Sequence, residues 1–343
     1  MPSTSAGRPL RVAMIGPIAW RTPPLHYGPW ERVTSLLTEG LVARGVQVTL
    51  FATADSLTSG VLDGVAPHGY AEDPTMDGRI WEALHVAHAL ERSAEFDIVH
   101  NQLDWLPLAF SALCAAPMVT TIHGFSGAAI LPAYQRARSR FVAISTADQA
   151  PELDYTAVIH HGIDRTELPA GPGGEDLVVF GRIHPDKGTA DAIRIARAAG
   201  RRLIICGIVQ DADYFAREVE PHIDGVDVVY LGSVGPEQRA QVLGSAAVLL
   251  HPIAFAEPFG LSVVEAMTCG TPVVAYALGS MPEVVDNGVT GYLVADEPAA
   301  AAAVDRAARL DRSAVRARAA DRFGVDRMVE NYLRVYSEMT DAG

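Results

Sequence analysis

The sequence is short of positive charge, sparing with cysteine and without any long apolar run, and each shortage excludes a class of function. Lysine and arginine together number 27 against 41 acids, a net charge of -14, so the surface as a whole repels nucleic acid and anionic membrane. A bound anion must then be held by local chemistry. The three cysteines, Cys114, Cys206 and Cys269, show no CxxC or metal-like spacing and read as reduced core residues. No run approaches the roughly 18 apolar residues of a membrane span. The opening MPSTSAGRPLRVAMIG lacks the basic flank and long apolar segment of a signal peptide. A soluble, cytoplasmic protein with no transmembrane segment and no nucleic-acid partner is expected. No GxGxxG follows the first strand-like run, since GPIAWRTPPLHYG has the wrong spacing, which argues against a dehydrogenase.

What is present is an α/β pattern. At 343 residues the chain is comfortable for two cores, because single cores stop growing at roughly 250 to 300 residues. Apolar residues make up 49% and charged residues 20%, ordinary globular values. LRVAMIG, VQVTLFA, DIVH, PMVTTIH, RFVAIS and TAVIHHG read as strands of a first domain, residues 1–167. Between them lie helical stretches: WERVTSLLTEGLVARG, with Val33, Leu36, Leu37 and Leu41 on one face, and segments around 79–92, 105–115 and 146–152. LPAGPGGED, residues 168–176, is the linker candidate. A second domain, 177–326, restarts the pattern with LVVFGRI, RRLIICGI, VDVVYLGS, AVLLHPI, TPVVAYA and GYLVA. Such runs predict two doubly wound, Rossmann-like domains with ligands at the carboxyl ends of the strands. The cleft where two such domains face each other is the natural site. Residues 327–343 carry a helix with Val329, Tyr332, Leu333, Tyr336 and Met339 on one face; periodicity leaves its docking place open.

Two segments concentrate the chemistry. In HPIAFAEPFGLSVVEAMTCG the glutamates Glu257 and Glu265 stand in an otherwise apolar run, and a buried carboxylate is costly unless paired. Pro258 and Gly260 mark a turn into a helix, whose first amides at Gly260, Leu261 and Ser262 form an anion site. Glu265 lies roughly 6 Å further along that axis and can accept the hydroxyls of a ribose whose phosphates rest on the helix end. The plainer alternative is an acid favoured by the helix dipole and a solvated helix position. In GRIHPDKGTADAIRIA, Arg182 and Lys187 precede a second helix start, an unfavourable place for cations unless an anion joins them. A pyrophosphate satisfies both cations and the helix end; the alternative is two solvated surface cations. Asp211 and Asp213 have a DxD form, but before YFAREVE they are more simply a helix start, and no metal is expected.

GRIHPDKG and EPFGLSVVEAMTCGTPVVA resemble the signatures of the retaining, nucleotide-sugar-dependent glycosyltransferases of family four, which have the two-domain GT-B fold. The resemblance extends over nearly all of the second domain and more thinly over the first. It implies a metal-independent hexosyltransferase without a cofactor, whose donor is a nucleotide-diphosphate sugar. UDP is the first choice, with GDP and ADP open. Arg182 and Lys187 are then implied on the diphosphate, Phe259, Gly260, Leu261 and Ser262 in the donor turn, Glu265 on the ribose and Glu257 beside the transferred sugar. VTTIHGF resembles the segment whose histidine borders that sugar, here His123, so Glu257 and His123 are the catalytic candidates. Gly28 resembles a glycine of the family's first loop, though one Gly-Pro replaces the usual paired glycines. VIHHGID is similar to an interdomain segment, with His161 in place of asparagine, and reads as hinge. The terminal helix is implied to cross back to the first domain. The expected acceptor is a saccharide or small natural product, and the composition is similar to that of transferases in actinobacterial antibiotic pathways. A nucleotide-sugar epimerase on the same fold, or a non-catalytic nucleotide-sugar binding protein, are the alternatives.

Overall fold

The computed structural model describes residues 7–125 and 127–341; the first six residues of the opening segment and the last two of the terminal one lie outside them. Two units form. The described residues up to Gly162 and those from Val325 onward make one, and Ile163–Gly324 the other.

The first unit is built on seven parallel strands among the described residues, in the order β3-β2-β1-β4-β5-β6-β7. They are β1 Arg11–Ile15, β2 Gln47–Phe51, β3 Val61–Asp63, β4 Ile98–Asn101, β5 Met118–Ile122, β6 Arg140–Ala143 and β7 Tyr155–Val158. Consecutive residues of β1, from Val12 to Ile15, are all buried, as expected where helices cover both faces of a parallel sheet. Those helices include α1 Pro29–Val42, α2 Gly78–Glu91, α3 Leu106–Ala109 and α4 Leu131–Arg136. Pro29 opens α1, where its missing N–H costs nothing, and Val33, Leu37 and Leu41 face the core.

The terminal helix Val325–Asp341 completes this unit. It buries Val329, Tyr332, Tyr336 and Met339, while Leu333 is only half-buried. Tyr336 Oη lies 2.6 Å from His100 Nδ1, and Tyr332 Oη 2.7 Å from Thr121 Oγ1. The last turns of the chain therefore satisfy polar groups buried on β4 and β5.

The second unit holds six parallel strands, ordered β10-β9-β8-β11-β12-β13: β8 Leu177–Phe180, β9 Leu203–Cys206, β10 Val228–Tyr230, β11 Val248–His251, β12 Val273–Tyr276 and β13 Gly291–Val294. All six coincide with the apolar runs read from the sequence. Its helices are α5 Thr189–Ala198, α6 Ala212–Tyr214, α7 Pro236–Ser245, α8 Leu261–Thr268, α9 Met281–Val284, α10 Glu297–Ala307 and α11 Arg312–Phe323. Strand order reverses between β1 and β4 in the first unit and between β8 and β11 in the second, and ligands of open α/β sheets sit beside such switch points.

Two expectations need correction, and one strand met no expectation at all. Residues 146–152 form no helix: Ser145 Oγ accepts from the Asp148 amide at 3.1 Å and the Tyr155 hydroxyl from the Ala150 amide at 3.0 Å. These local side-chain bonds, with Pro151 at hand, compete with helix formation. The glycine-rich stretch 168–176 is not a free linker but part of the second unit, with Gly171 N bonded to Cys269 O at 3.0 Å and Gly173 N to Gly244 O at 2.9 Å. The chain passes between units earlier, at Gly162 and Ile163. Finally, β3 is an edge strand with an exposed Val61, too short to register as an apolar run.

Candidate functional site

In the second unit the loops after β8 and β11 are tied together through their backbones. Gly188 ends a single tight turn, Pro185–Lys187, with φ of 66°, and a side chain there would collide with the Pro252 carbonyl oxygen. The Ala254 amide donates to the Asp186 carbonyl at 2.8 Å. Only glycine allows this approach, and its result is to bring together residues 70 positions apart: Lys187 Nζ lies 2.6 Å from Glu257 Oε2. The ammonium also stands 4.6 Å from the centre of the Phe255 ring. Both members of the pair are nearly buried, and Lys187 is the single lysine of the sequence.

Burial pushes the Glu257 carboxyl upward, but His251 and Lys187 outweigh it and hold the group down at about 2. His251 Nε2 is 3.7 Å from the carboxylate, and Lys187 Nζ is in direct contact with it at 2.6 Å. Glu257 is thus a fixed carboxylate and not a proton donor. Its main chain is gripped as well, the Ser280 amide donating to the Glu257 carbonyl at 2.8 Å.

Directly after Glu257 comes the entry to α8. Gly260 takes the left-handed conformation, φ 87°, and the first bonds inside the helix run from the Val263 and Val264 amides to Gly260 O, at 3.0 and 3.2 Å. The amides of Gly260, Leu261 and Ser262 precede that ladder, the positions at which a helix start leaves donors available to an anion. The Phe259 ring turns the other way, into the core against Phe323 at 5.8 Å, so it props the turn.

Arg182 is not part of the ion pair. Its guanidinium contacts Gln210 and bonds Asp186 Oδ2 at 3.1 Å. It nevertheless lines the same concavity as Lys187, together with Phe180, Gly181, Cys206 and His251. Glu265 is buried, and its partner is Arg239, whose Nη1 lies 3.0 Å from Oε1. Asp211 accepts the Tyr214 amide at 2.9 Å, a helix cap. Among the described residues no three His, Cys, Asp or Glu side chains are placed to hold a metal ion.

In the first unit His123 leaves the end of β5, buried. Its Nε2 is 2.6 Å from Gln102 Oε1 and its Nδ1 3.4 Å from His161 Nε2. The ring stacks on Trp30 at 5.2 Å. Burial pushes its pKa down to about 3, so the ring is neutral near pH 7 and serves as a fixed hydrogen-bonding surface. Gly28, φ 148°, caps α1 two residues before Trp30. The Glu31 carboxylate folds back beside it, accepting the Trp20 amide at 3.2 Å.

Three participants escaped the sequence reading: Arg239, Gln102 and Glu31. Arg239 sits in PEQRAQVLGS, which looks like any charged surface helix. A count of lysines would have pointed to Lys187 without any motif.

Residues 163–322 match the family described as Glycosyl transferases group 1, and residues 30–167 match Glycosyltransferase Family 4. Among curated proteins, a glycogen synthase of Mycobacterium tuberculosis is 28% identical, the match covering 88% of this chain and 89% of that one. A D-inositol 3-phosphate glycosyltransferase of Streptomyces scabiei is 27% identical over 96% of this chain and 91% of its own length. Among solved structures, AviGT4, a glycosyltransferase involved in avilamycin A biosynthesis, superposes with a TM-score of 0.77 at 26% identity, covering 98% and 99% of the two chains. Anabaena HepE, solved with UDP and glucose, shares the fold at a TM-score of 0.74 and 21% identity, over 96% of this chain and 99% of its own.

Proposed function

We propose, from the match of residues 163–322 to the group 1 glycosyltransferases and of residues 30–167 to Glycosyltransferase Family 4 and from the GT-B fold, that the chain is a retaining, metal-independent hexosyltransferase. It moves a sugar from a nucleotide-diphosphate donor, UDP first, to a saccharide or natural-product acceptor. The observation that carries this reading is the Lys187–Glu257 pair at the entry to α8: one cation from the β8 loop, one fixed carboxylate and, directly after that carboxylate, a row of helix-end amides.

A departing diphosphate develops negative charge on its bridging oxygen. Lys187 and the amides of Gly260, Leu261 and Ser262 stabilise that charge as it forms, and preorganised donors of this kind supply much of the rate in enzymes. Arg182 adds a second positive charge on the same concavity. Glu257, ionised throughout, supports the positive charge on the sugar carbon and orients its hydroxyls. Glu265 takes the ribose hydroxyls. His123, neutral and held by Gln102, is the polar group the first unit offers at the carboxyl end of β5, and that unit is assigned the acceptor. AviGT4 supports a natural-product acceptor, and the UDP complex of HepE supports the choice of base.

The test is donor consumption by the purified protein in excess chelator, with the anomeric proton coupling of the product read by NMR. We expect full activity and a product with the donor's anomeric configuration. Inversion, loss of activity restored by Mg²⁺, or an isomerised nucleotide sugar formed without acceptor would each replace this reading. A melting screen with UDP, GDP and ADP identifies the base, because a ligand that favours the native state raises its stability; UDP is expected to give the largest rise.

A further inference from the structure

Glu265 lies on the buried face of α8, flanked by Val264 and Ala266, which are fully buried. A carboxylate there demands a partner, and Arg239 supplies it from α7. The guanidinium does more than neutralise. Its carbon stands 5.3 Å from the centre of the Phe180 ring, and Phe180 is the last residue of β8, lining the concavity beside Arg182 and Lys187. Arg239 therefore spans from the end of β8 to the second turn of α8, across the point where strand order reverses. Stacked on the ring, the planar fork has little freedom, and it bonds Glu265 through Oε1. That fixes the carboxylate's orientation and leaves Oε2 as the oxygen to accept from a ligand.

We propose that Arg239 is a positioning residue that sets the ribose grip: by clamping Oε1 it aims the Glu265 carboxylate at the ribose hydroxyls and so determines discrimination between ribose and deoxyribose nucleotides. This rests on the assignment of Glu265 to the ribose. A hydroxyl-to-carboxylate bond depends on direction, so a carboxylate released from its clamp loses its preference for the diol while the diphosphate contacts of Lys187 and α8 persist.

The experiment is calorimetric binding of UDP and of 2′,3′-dideoxy-UDP to the wild type, Arg239→Met, Arg239→Lys and Glu265→Gln, each checked by thermal melting. The wild type is expected to prefer UDP by about tenfold or more, the size of a hydrogen bond to a charged group. Arg239→Met should lose that preference by weakening UDP alone, and Arg239→Lys should fall between. The double variant Arg239→Met/Glu265→Gln removes the unpaired buried charge, and should melt above Arg239→Met yet still fail to discriminate. Equal weakening of both ligands by Arg239→Met, or unchanged discrimination, overturns the proposal while leaving the ribose assignment standing if Glu265→Gln alone abolishes the preference. If Glu265→Gln discriminates as well as the wild type, the ribose assignment itself falls.

Discussion

Lys187→Ala is expected to lower kcat/KM for donor consumption by about a thousandfold, the upper range for removing one preorganised donor of charge stabilisation. Two effects combine. The leaving diphosphate loses its nearest cation, and Glu257 is left as a buried carboxylate whose partner at 2.6 Å has gone. Breaking a buried pair from one side costs about 3 kcal/mol, so the variant should also melt lower. The two effects separate in Lys187→Ala/Glu257→Gln, where stability should return toward the wild type and activity should not. Lys187→Arg should fail too. Of the 27 lysines and arginines all but Lys187 are arginine, so this position holds the one side-chain ammonium, a compact point charge 2.6 Å from Glu257 that a planar, delocalised fork does not reproduce. Activity within tenfold of wild type in Lys187→Ala would end the charge-stabilisation account. Acid titration gives an independent check. A carboxyl held down at about 2 contributes stability that is complete above its ordinary value of 4.5 and disappears as pH falls from there toward 2. Lys187→Ala should lose the lysine's share of that contribution and unfold at a higher pH than the wild type.

Glu31→Gln should stabilise the protein at pH 8 by several degrees while leaving it nearly unchanged at pH 4.5. Glu31 is 3% exposed, and burial pushes its carboxyl up to about 7, against the opposing bonds from its own amide and that of Trp20. The position near the start of α1 favours the anion by only about 1 kcal/mol, less than the burial penalty. The native state therefore keeps a proton that the unfolded chain releases between about 4.5 and 7. Stability is complete below that window and falls as pH rises through it, by roughly 3 kcal/mol in all. Glutamine carries no such proton, so its melting curve should be flat where the wild type declines, and the gap at pH 8 should reach about 8 °C. Parallel curves for the two proteins would show that Glu31 is not the titrating group.

Much of the fold could be read directly because parallel strands buried on both faces are written as short apolar runs, and twelve of the thirteen strands named above coincide with one. The exception, Val61–Asp63, is an edge strand, where one neighbour and an exposed face leave no composition to recognise. The loops of the site were legible for a related reason. Gly188 and Gly260 hold conformations that disfavour other residues, so the punctuation around Lys187 and Glu265 shows in the sequence itself. Pairing was not legible. Nothing in EPFGLSVVEAM says that Glu257 meets a lysine from one loop and Glu265 an arginine from another helix, because each contact crosses many residues and is decided by the sheet order. The buried series Tyr336, His100, Gln102, His123 was hidden for the same reason. Its members stand in three separate segments, His100 and Gln102 at the end of β4, His123 after β5 and Tyr336 in the terminal helix, and only the topology lines them up.

The return of the terminal helix to the first unit also bears on how the chain is made. Residues 163–324 form one unbroken unit and can fold as soon as they leave the ribosome, whereas the earlier-synthesised unit cannot finish. Until Tyr332 and Tyr336 emerge, His100 and Thr121 lack the hydroxyls that satisfy them in the native state, and the apolar face of α1 that meets Val329 stays uncovered. Domains usually mature in the order of translation. Here the middle of the chain is free to mature first, and the beginning waits for the end.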